Sequence, residues 1–341
     1  MTRHRFQEVT SKYSSLSIAV LGDFCLDRYL EIDPGREEIS IETGLPVYNV
    51  SQVRSLPGGA GTIVNNLSSL GVQKIYPIGL VGEDGEGYEL CGALGKRAGV
   101  TTGTLVRTSQ RRTFTYCKPM VCDPNGKQKE LNRFDFKNWT PTPALLQGLI
   151  ISKLDEIAQE VDAIIILDQV DVPETGVMTR QVLKKVKTLA KKNSDLVVLA
   201  DSRRSLRDFP PVIFKMNAAE LKSLVGAKEE LSFGDVGRTA AELALQNRRS
   251  VFVTLAEKGI VGTSADGKYG HVPALPLRGE IDIVGAGDAV SANLAAAIAA
   301  GASLTETLEI ANAAASVVIH KIGTTGTASV GEIEKLLLPD S

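Results

Sequence analysis

The sequence is sparing with the residues that most often announce a chemistry. Its four cysteines, Cys25, Cys91, Cys117 and Cys122, include no CxxC pair and no metal-ligand spacing. That argues against a disulfide framework or a zinc centre and for buried or incidental thiols. The three histidines, His4, His271 and His320, are scattered, and neither HExxH nor GxSxG occurs, so the common hydrolase arrangements lose most of their support. No sign of charge dominates. With 38 basic and 40 acidic residues the net charge is −2, which gives no electrostatic case for a nucleic-acid partner or an anionic membrane surface. No apolar run reaches the roughly 18 residues needed to span a bilayer, and the N-terminal MTRHRFQEVTSKYSS lacks the apolar core of a secretory signal. A cytoplasmic protein without membrane or nucleic-acid partners is expected.

What remains is a chain of ordinary globular composition, 341 residues long and 43% hydrophobic, ample for one large domain or one domain with an appendage. Short apolar, β-rich runs at 16–23, 162–169, 195–202 and 250–259 end in Gly or Asp, or one residue past an Asp. Between them lie stretches of helical periodicity at 143–160, 176–193 and 217–247. Strands apolar on both faces and separated by helices imply an α/β fold with a mainly parallel sheet covered on both sides, and a ligand at the carboxyl ends of its strands. Two segments break the rhythm, 25–57 and 104–136, with alternating β-branched patches and a turn at DPNGK (123–127). They read as a small β-sheet inserted into the core (1–24, 58–103 and 137–341) and projecting over its strand ends as a lid.

The segment DIVGAGD (282–288) runs from apolar residues into an alanine-rich helical stretch. A helix N-terminus has unpaired N–H groups and partial positive charge, so it favours an anion. Gly285 and Gly287 remove the Cβ atoms that would keep a phosphate away, and Asp288 offers a carboxylate at the same point. Donors for a phosphoryl group and an acceptor for a proton thus converge, which suits phosphoryl transfer. The segment alone equally fits a glycine-rich turn with Asp288 as a helix cap. GLVGEDGEG (79–87) has no GxGxxG register and reads as a plain turn, and GALGKR (92–97) lacks the spacing of a P-loop.

Four distant motifs decide between those readings. LPGGAGTIVNNLSSLG (56–71), MNAAEL (216–221), VTLAEKG (253–259) and DIVGAGD occur in the order and spacing of the PfkB, or ribokinase-like, carbohydrate kinases, and the resemblance covers nearly the whole chain. Within that family GDFCLDRY (22–29), ISIETGLPV (39–47), NRFDF (132–136) and ANAAASVVIHKIGT (311–324) are most similar to the kinase domain of bacterial heptose-7-phosphate kinases. The nucleotidyltransferase domain of the bifunctional heptose enzymes is expected to be absent from a chain that stops at 341.

The resemblance implies a three-layer α/β/α fold, ATP with Mg²⁺, and roles for particular residues. Asp288 matches the base that takes the acceptor's proton, and Gly285, Ala286 and Gly287 match the anion hole. Asn217 and Glu220 match the pair near the ATP phosphates, with Glu220 organising Mg²⁺ through water. Thr254 and Gly259 match the loop beside the nucleotide, and Asn312 the adenine pocket. On the sugar side Asp23 and Asp27 are candidates for the substrate hydroxyls, with Asp27 the better match, and Gly58 and Gly59 match the diglycine that lets a sugar approach. Two positions depart from the pattern. Thr62 replaces the substrate-binding asparagine, and Ala256 replaces a glycine of the nucleotide loop. The family's K⁺ site maps to Asp282, Val284, Val318, Lys321 and Gly323. Its lid forms the dimer contact in many relatives, so a homodimer is expected. The second lid segment is basic, and Arg111, Arg112 and Arg133 are candidates to grip the phosphate of a phosphorylated acceptor. The expected activity is ATP-dependent phosphorylation of a hydroxyl on a sugar or sugar phosphate. The alternatives are a nucleoside or other small-alcohol kinase, or a catalytically silent ligand-binding member, which Thr62 would permit.

Overall fold

The computed structural model describes residues 1–122, 128–323 and 325–339. The expected turn at 123–127 lies outside the described residues. Eight strands form the central sheet, in the order Tyr269–Val272, Ile260–Thr263, Val251–Thr254, Ile213–Asn217, Val197–Ser202, Ala163–Asp168, Ser17–Gly22 and Lys74–Ile78. From Val251–Thr254 to Lys74–Ile78 every pairing is parallel, and the first two strands close the other edge as an antiparallel hairpin.

Strand alternation explains why both faces are covered. Ile18 and Val20 point into one core with Leu294 and Ile310, whereas Ala19 and Leu21 point into a second core with Ile150 and Val186. Helices Ala60–Ser69, Ala286–Ala299 and Leu304–Ile319 supply the first layer; Ala144–Ile157, Arg180–Lys192 and Phe233–Asn247 supply the other. Each fully buried Ile or Leu contributes about 1.5–3 kcal/mol over an exposed one, so the two cores hold the three layers together.

The expected α/β fold is present, with differences of local cause. The helical pattern at 217–247 is two helices, Ala218–Val225 and Phe233–Asn247. Gly226 ends the first at φ 72°, returning its N–H to Lys222 and Ser223. Asp84, in the stretch read as a plain turn, caps the helix Gly85–Gly95. The strands Lys74–Ile78 and Ile213–Asn217 were not singled out, because a lysine or proline interrupts each short apolar run.

A second sheet joins Phe24–Ile32, Val50–Gly59, Phe114–Cys122, Gln128–Glu130 and Phe134–Phe136. Phe24–Ile32 lies antiparallel to Val50–Gly59 and parallel to Phe114–Cys122. It begins two residues after the core strand Ser17–Gly22 ends, so the base of this sheet, where Cys25 is opposite Gly58, meets the carboxyl ends of the core strands. The stretch Val106–Thr108 pairs instead with Leu80–Gly82.

Candidate active site

The helix Ala286–Ala299 begins at Gly285, whose φ of 83° is a left-handed conformation that a side chain resists. Among the described residues no side chain caps this N-terminus. Asp288 stands in the first turn, half-buried, and among the described residues no donor hydrogen-bonds its carboxylate. Burial pushes its pKa up to about 7, with Lys215 opposing and Asp201 reinforcing the shift. Lys215 is buried and donates to Asp201 Oδ2 at 2.6 Å. A Cβ on Gly287 would lie 3.0 Å from its ammonium nitrogen, so that cation rests against the helix mouth. Burial alone would lower the Lys215 pKa, but the ion pair with Asp201 raises it and keeps the group charged. Ser291 Oγ also donates to Asp201 Oδ2, at 3.2 Å, tying the pair to the same helix.

Beside this mouth opens a cleft of about 1090 Å³ that includes Asn217, Thr254, Gly259, Ala286, Gly287 and Asn312. Asn217 and Glu220 form a reciprocal capping box, 2.9 and 2.7 Å, at the start of Ala218–Val225. That bond occupies Glu220 Oε2 and leaves Oε1 free among the described residues. Burial raises the Glu220 pKa. Asn312 Nδ2 donates to Pro273 O at 2.9 Å. Much of the remaining wall is apolar, with Leu231, Phe233, Leu277 and Ile283.

On the lid side the expected substrate residues separate. Asp23 has both oxygens engaged, Oδ1 by Val177 N at 2.7 Å and Oδ2 by Gln169 N at 2.9 Å, so it fastens two strand-end loops. Burial, then the nearby Asp168 charge, raises its pKa. Asp27 pairs through Oδ1 with Lys118 at 3.0 Å. A Cβ on Gly58 would lie 2.3 Å from Asp27 Oδ2, so any other residue there must displace that carboxylate. Thr62 is buried and its methyl lies 3.4 Å from the Cβ position of Gly285, so it supports the anion hole from behind. The lid arginines also differ. Arg112 reaches Glu86 at 3.1 Å, and Arg133 is held in a fork by Asp135 at 2.6 and 2.9 Å. Arg111 is buried with no carboxylate partner among the described residues. Its Nη1 and Nη2 go to Thr140 Oγ1 and Pro141 O, its Nε has no partner, and burial lowers its pKa. Between lid and core a cavity of only about 10 Å³ is bounded by Asp23, Tyr116, Lys137, Trp139 and Gln169.

A glycine-lined helix mouth thus lies beside a large cleft, with a small cavity under the lid. A profile of the pfkB family carbohydrate kinases matches residues 17–330. The chain belongs to that family. The bifunctional protein HldE of Azorhizobium caulinodans is 31% identical over 308 residues, covering 90% of this chain and 61% of that protein. The chain thus spans about three-fifths of this curated relative. Among solved structures, Arabidopsis thaliana ribokinase complexed with ribose and ATP has a TM-score of 0.68 at 21% identity, covering 95% of this chain and 99% of that one. Escherichia coli phosphofructokinase-2 in complex with potassium has a TM-score of 0.68 at 19% identity, covering 94% and 98%. It is also known in complex with fructose-6-phosphate. These two likenesses establish the ribokinase-like fold.

Against the pfkB pattern, Ala256 adopts φ 49° in a short turn after Val251–Thr254, the conformation that explains a glycine there in relatives. Gly259, at φ 88°, leaves no room for a side chain, since a Cβ would lie 2.0 Å from Val272 O. Of the positions matching the K⁺ site, Asp282 and Val284 precede the anion hole and Val318, Lys321 and Gly323 follow Leu304–Ile319. The two segments meet through Asp282 N donating to Ile319 O at 2.8 Å. The Lys321 ammonium goes to Thr327 O and Glu332, both 2.6 Å. Two cations at the core strand ends escaped the sequence reading, Lys215 and Arg203. A lysine inside the apolar run VIFKMN, two residues before Asn217, was the available signal for the first. For the second it was a position just past a parallel strand, where ligands of such sheets bind.

Proposed function

We propose that this carbohydrate kinase transfers the γ-phosphoryl group of ATP to a hydroxyl of a sugar phosphate. The observation that carries the transfer is Asp288, a carboxylate that accepts no hydrogen bond among the described residues and has its pKa raised to about 7, in the first turn of a helix whose N-terminus no described side chain caps. A base poised near neutrality can take the acceptor's proton. The Gly287 N–H, with the Lys215 ammonium behind it, meets the charge on the phosphoryl oxygens, joined by the Ala286 N–H once it turns from Ile283 O, to which it donates at 3.2 Å. The wide cleft takes the nucleotide, with Asn217, Thr254 and Gly259 toward the phosphates and Asn312 toward the base.

Mg²⁺ would neutralise charge on the phosphates. The free oxygen of Glu220 suits a hard cation held mainly by phosphate oxygens and water, for which few protein carboxylates are needed. A K⁺ ion beside the anion hole is part of the same reading, at Asp282, Val284, Val318, Lys321 and Gly323. Support comes from the meeting of the two segments there and from the potassium complex of phosphofructokinase-2. The exposed Ile39, Ile41, Leu45, Tyr48 and Val53 of the lid segment fit a homodimer through that face. A cytoplasmic site of action is part of the reading; no helix among the described residues is long and apolar enough to cross a membrane.

The preference for a phosphorylated acceptor rests on Arg111. A buried guanidinium without a carboxylate partner is costly unless an anion joins it. Arg112 and Arg133 already have acidic partners. The test compares kcat/KM for a panel of sugar phosphates with their dephosphorylated forms, in wild type and Arg111→Ala. The expected result is a phosphate preference of tenfold or more, about 1.4 kcal/mol, that collapses in the variant. A neutral sugar as the better substrate in both proteins refutes it.

A further inference from the structure

Arg203 follows the strand Val197–Ser202 and stands apart from the lid arginines. Its backbone N–H donates to Asp168 O at 3.0 Å, which fixes its position beside the neighbouring strand end. Its side chain is fixed too. With the Gln169 carboxamide turned so that its oxygen faces the guanidinium, Nε and Nη2 both donate to it at 3.0 Å. That orientation follows from the donors that face it. Gln169 in turn lines the small cavity under the lid and gives its backbone N–H to Asp23.

A guanidinium carries five N–H groups in a planar fork. The Gln169 contact uses two along one edge. The three that remain include the Nη1–Nη2 edge, whose spacing matches two oxygens of a phosphoryl group. Arg203 is exposed, and among the described residues no carboxylate forms an ion pair with it. Two residues before it, on the strand that it follows, Asp201 is tied to the helix Ala286–Ala299 by Ser291 Oγ at 3.2 Å, while Gln169 lines the cavity under the lid, so Arg203 stands between the donor and acceptor sides. An immobilised arginine with a free fork at that junction has more than a packing role open to it.

We propose that Arg203 is a further catalytic residue, whose free Nη1–Nη2 edge takes two non-bridging oxygens of the phosphoryl group as it passes from the donor cleft to the acceptor. The inference rests on the phosphotransfer reading but not on the acceptor carrying a phosphate. In the step it serves, the acceptor hydroxyl oxygen forms a bond to the γ-phosphorus. The bond to the β,γ-bridging oxygen breaks with its electron pair leaving on ADP, and the hydroxyl proton goes to Asp288. In mid-transfer the phosphoryl oxygens lie in one plane between the attacking and leaving oxygens, so a fixed fork set for that arrangement acts on the rate more than on substrate binding.

The experiment uses the full chain as wild type, Arg203→Ala and Arg203→Lys. ADP formation is followed with the best acceptor of the sugar panel and, separately, as slow transfer to water. Binding of ADP with and without aluminium fluoride is measured by calorimetry. Expected for Arg203→Ala is a fall of about 10²–10³-fold in kcat in both assays, with both KM values within about threefold of wild type. The extra affinity that aluminium fluoride confers on ADP should vanish while ADP alone binds normally, and Arg203→Lys should recover part of the rate. A kcat within about threefold of wild type overturns the proposal. So does a raised acceptor KM at unchanged kcat, which would make Arg203 a ground-state contact. A lowered melting temperature with the aluminium fluoride effect intact also overturns it, because it would reduce Arg203 to a tie on Gln169. A wild type that prefers neutral sugars refutes the sugar-phosphate reading alone, and the ratio between variant and wild type is still read.

Discussion

The two halves of the active site, assigned above to the donor and the acceptor, share the same strand ends and are built in opposite ways. The donor cleft is open, about 1090 Å³, and relies on backbone N–H groups and apolar walls. The cavity under the lid is about 10 Å³, the room of a single water, and charged side chains around it already hold partners: Lys137 with Asp171 at 2.8 Å, and Asp27 with Lys118 at 3.0 Å at the lid base. A nucleotide can enter a preformed groove. On the proposed function a sugar would have to lift the lid and exchange protein–protein bonds for its own hydroxyls, which would couple acceptor binding to lid movement. That coupling disfavours water, which forms too few contacts to repay the opening and would otherwise receive the phosphoryl group.

The deepest test of this division is at the seam. Asp288→Asn removes the proton acceptor while leaving both halves in place, so kcat should fall by about 10²–10⁴-fold with ATP binding retained in calorimetry. In wild type the carboxylate must be ionised to act. Its pKa is raised to about 7, so kcat/KM should climb as pH rises through about 7 and level above it. A flat profile between pH 5.5 and 8, or turnover in the variant near that of wild type, removes Asp288 as the base.

The acceptor half alone is probed at Gly58. A Cβ there would sit 2.3 Å from Asp27 Oδ2 and 2.8 Å from Cys25 Sγ, so Gly58→Ala must displace the carboxylate that the lid lysine holds. We expect the acceptor KM to rise about tenfold, roughly 1.4 kcal/mol, with the ATP KM unchanged. Equal changes in the two constants would mean that the halves are not separable.

The same division explains what was legible in the sequence. The donor half was readable because its requirements are local: an anion hole needs glycines at the start of a helix, and a capping box has fixed spacing. Gly285 and Asp288 therefore suggested an anion hole, which an ordinary glycine-rich turn fitted equally well until the family resemblance decided it and supplied the roles of Asn217 and Glu220; the alternation of apolar runs with helical stretches announced the layers. The acceptor half depends on pairs made by the fold. Arg133 faces Asp135 and Arg112 faces Glu86, so a basic segment that looked available for a phosphate is largely self-neutralised, leaving Arg111. Asp23 likewise reads as a substrate ligand in the sequence, which does not show that Val177 and Gln169, far along the chain, each donate to one of its oxygens. Arg203 carried no motif, because its partner Gln169 lies on another strand end and only parallel pairing brings the two together.

The smallest expected effect tests whether the donor half is rigid by design or merely tolerates strain. Ala256 adopts φ 49° in the turn beside the nucleotide cleft, held there because Leu255 N and Gly259 O close a bond at 2.8 Å and Gly259 N returns to Ala256 O at 3.0 Å. A left-handed alanine costs about 1–2 kcal/mol. Glycine would remove that cost but adds freedom to the unfolded chain worth about 0.4–1 kcal/mol. The balance favours Ala256→Gly by about 0.5–1 kcal/mol. Chemical denaturation should show a higher midpoint at unchanged slope, and the ATP KM should hold if the turn keeps its shape. A raised ATP KM in a more stable protein would show that the alanine's restriction helps present Thr254 and Gly259 to the nucleotide. A lowered midpoint would mean that the turn is not strained at all.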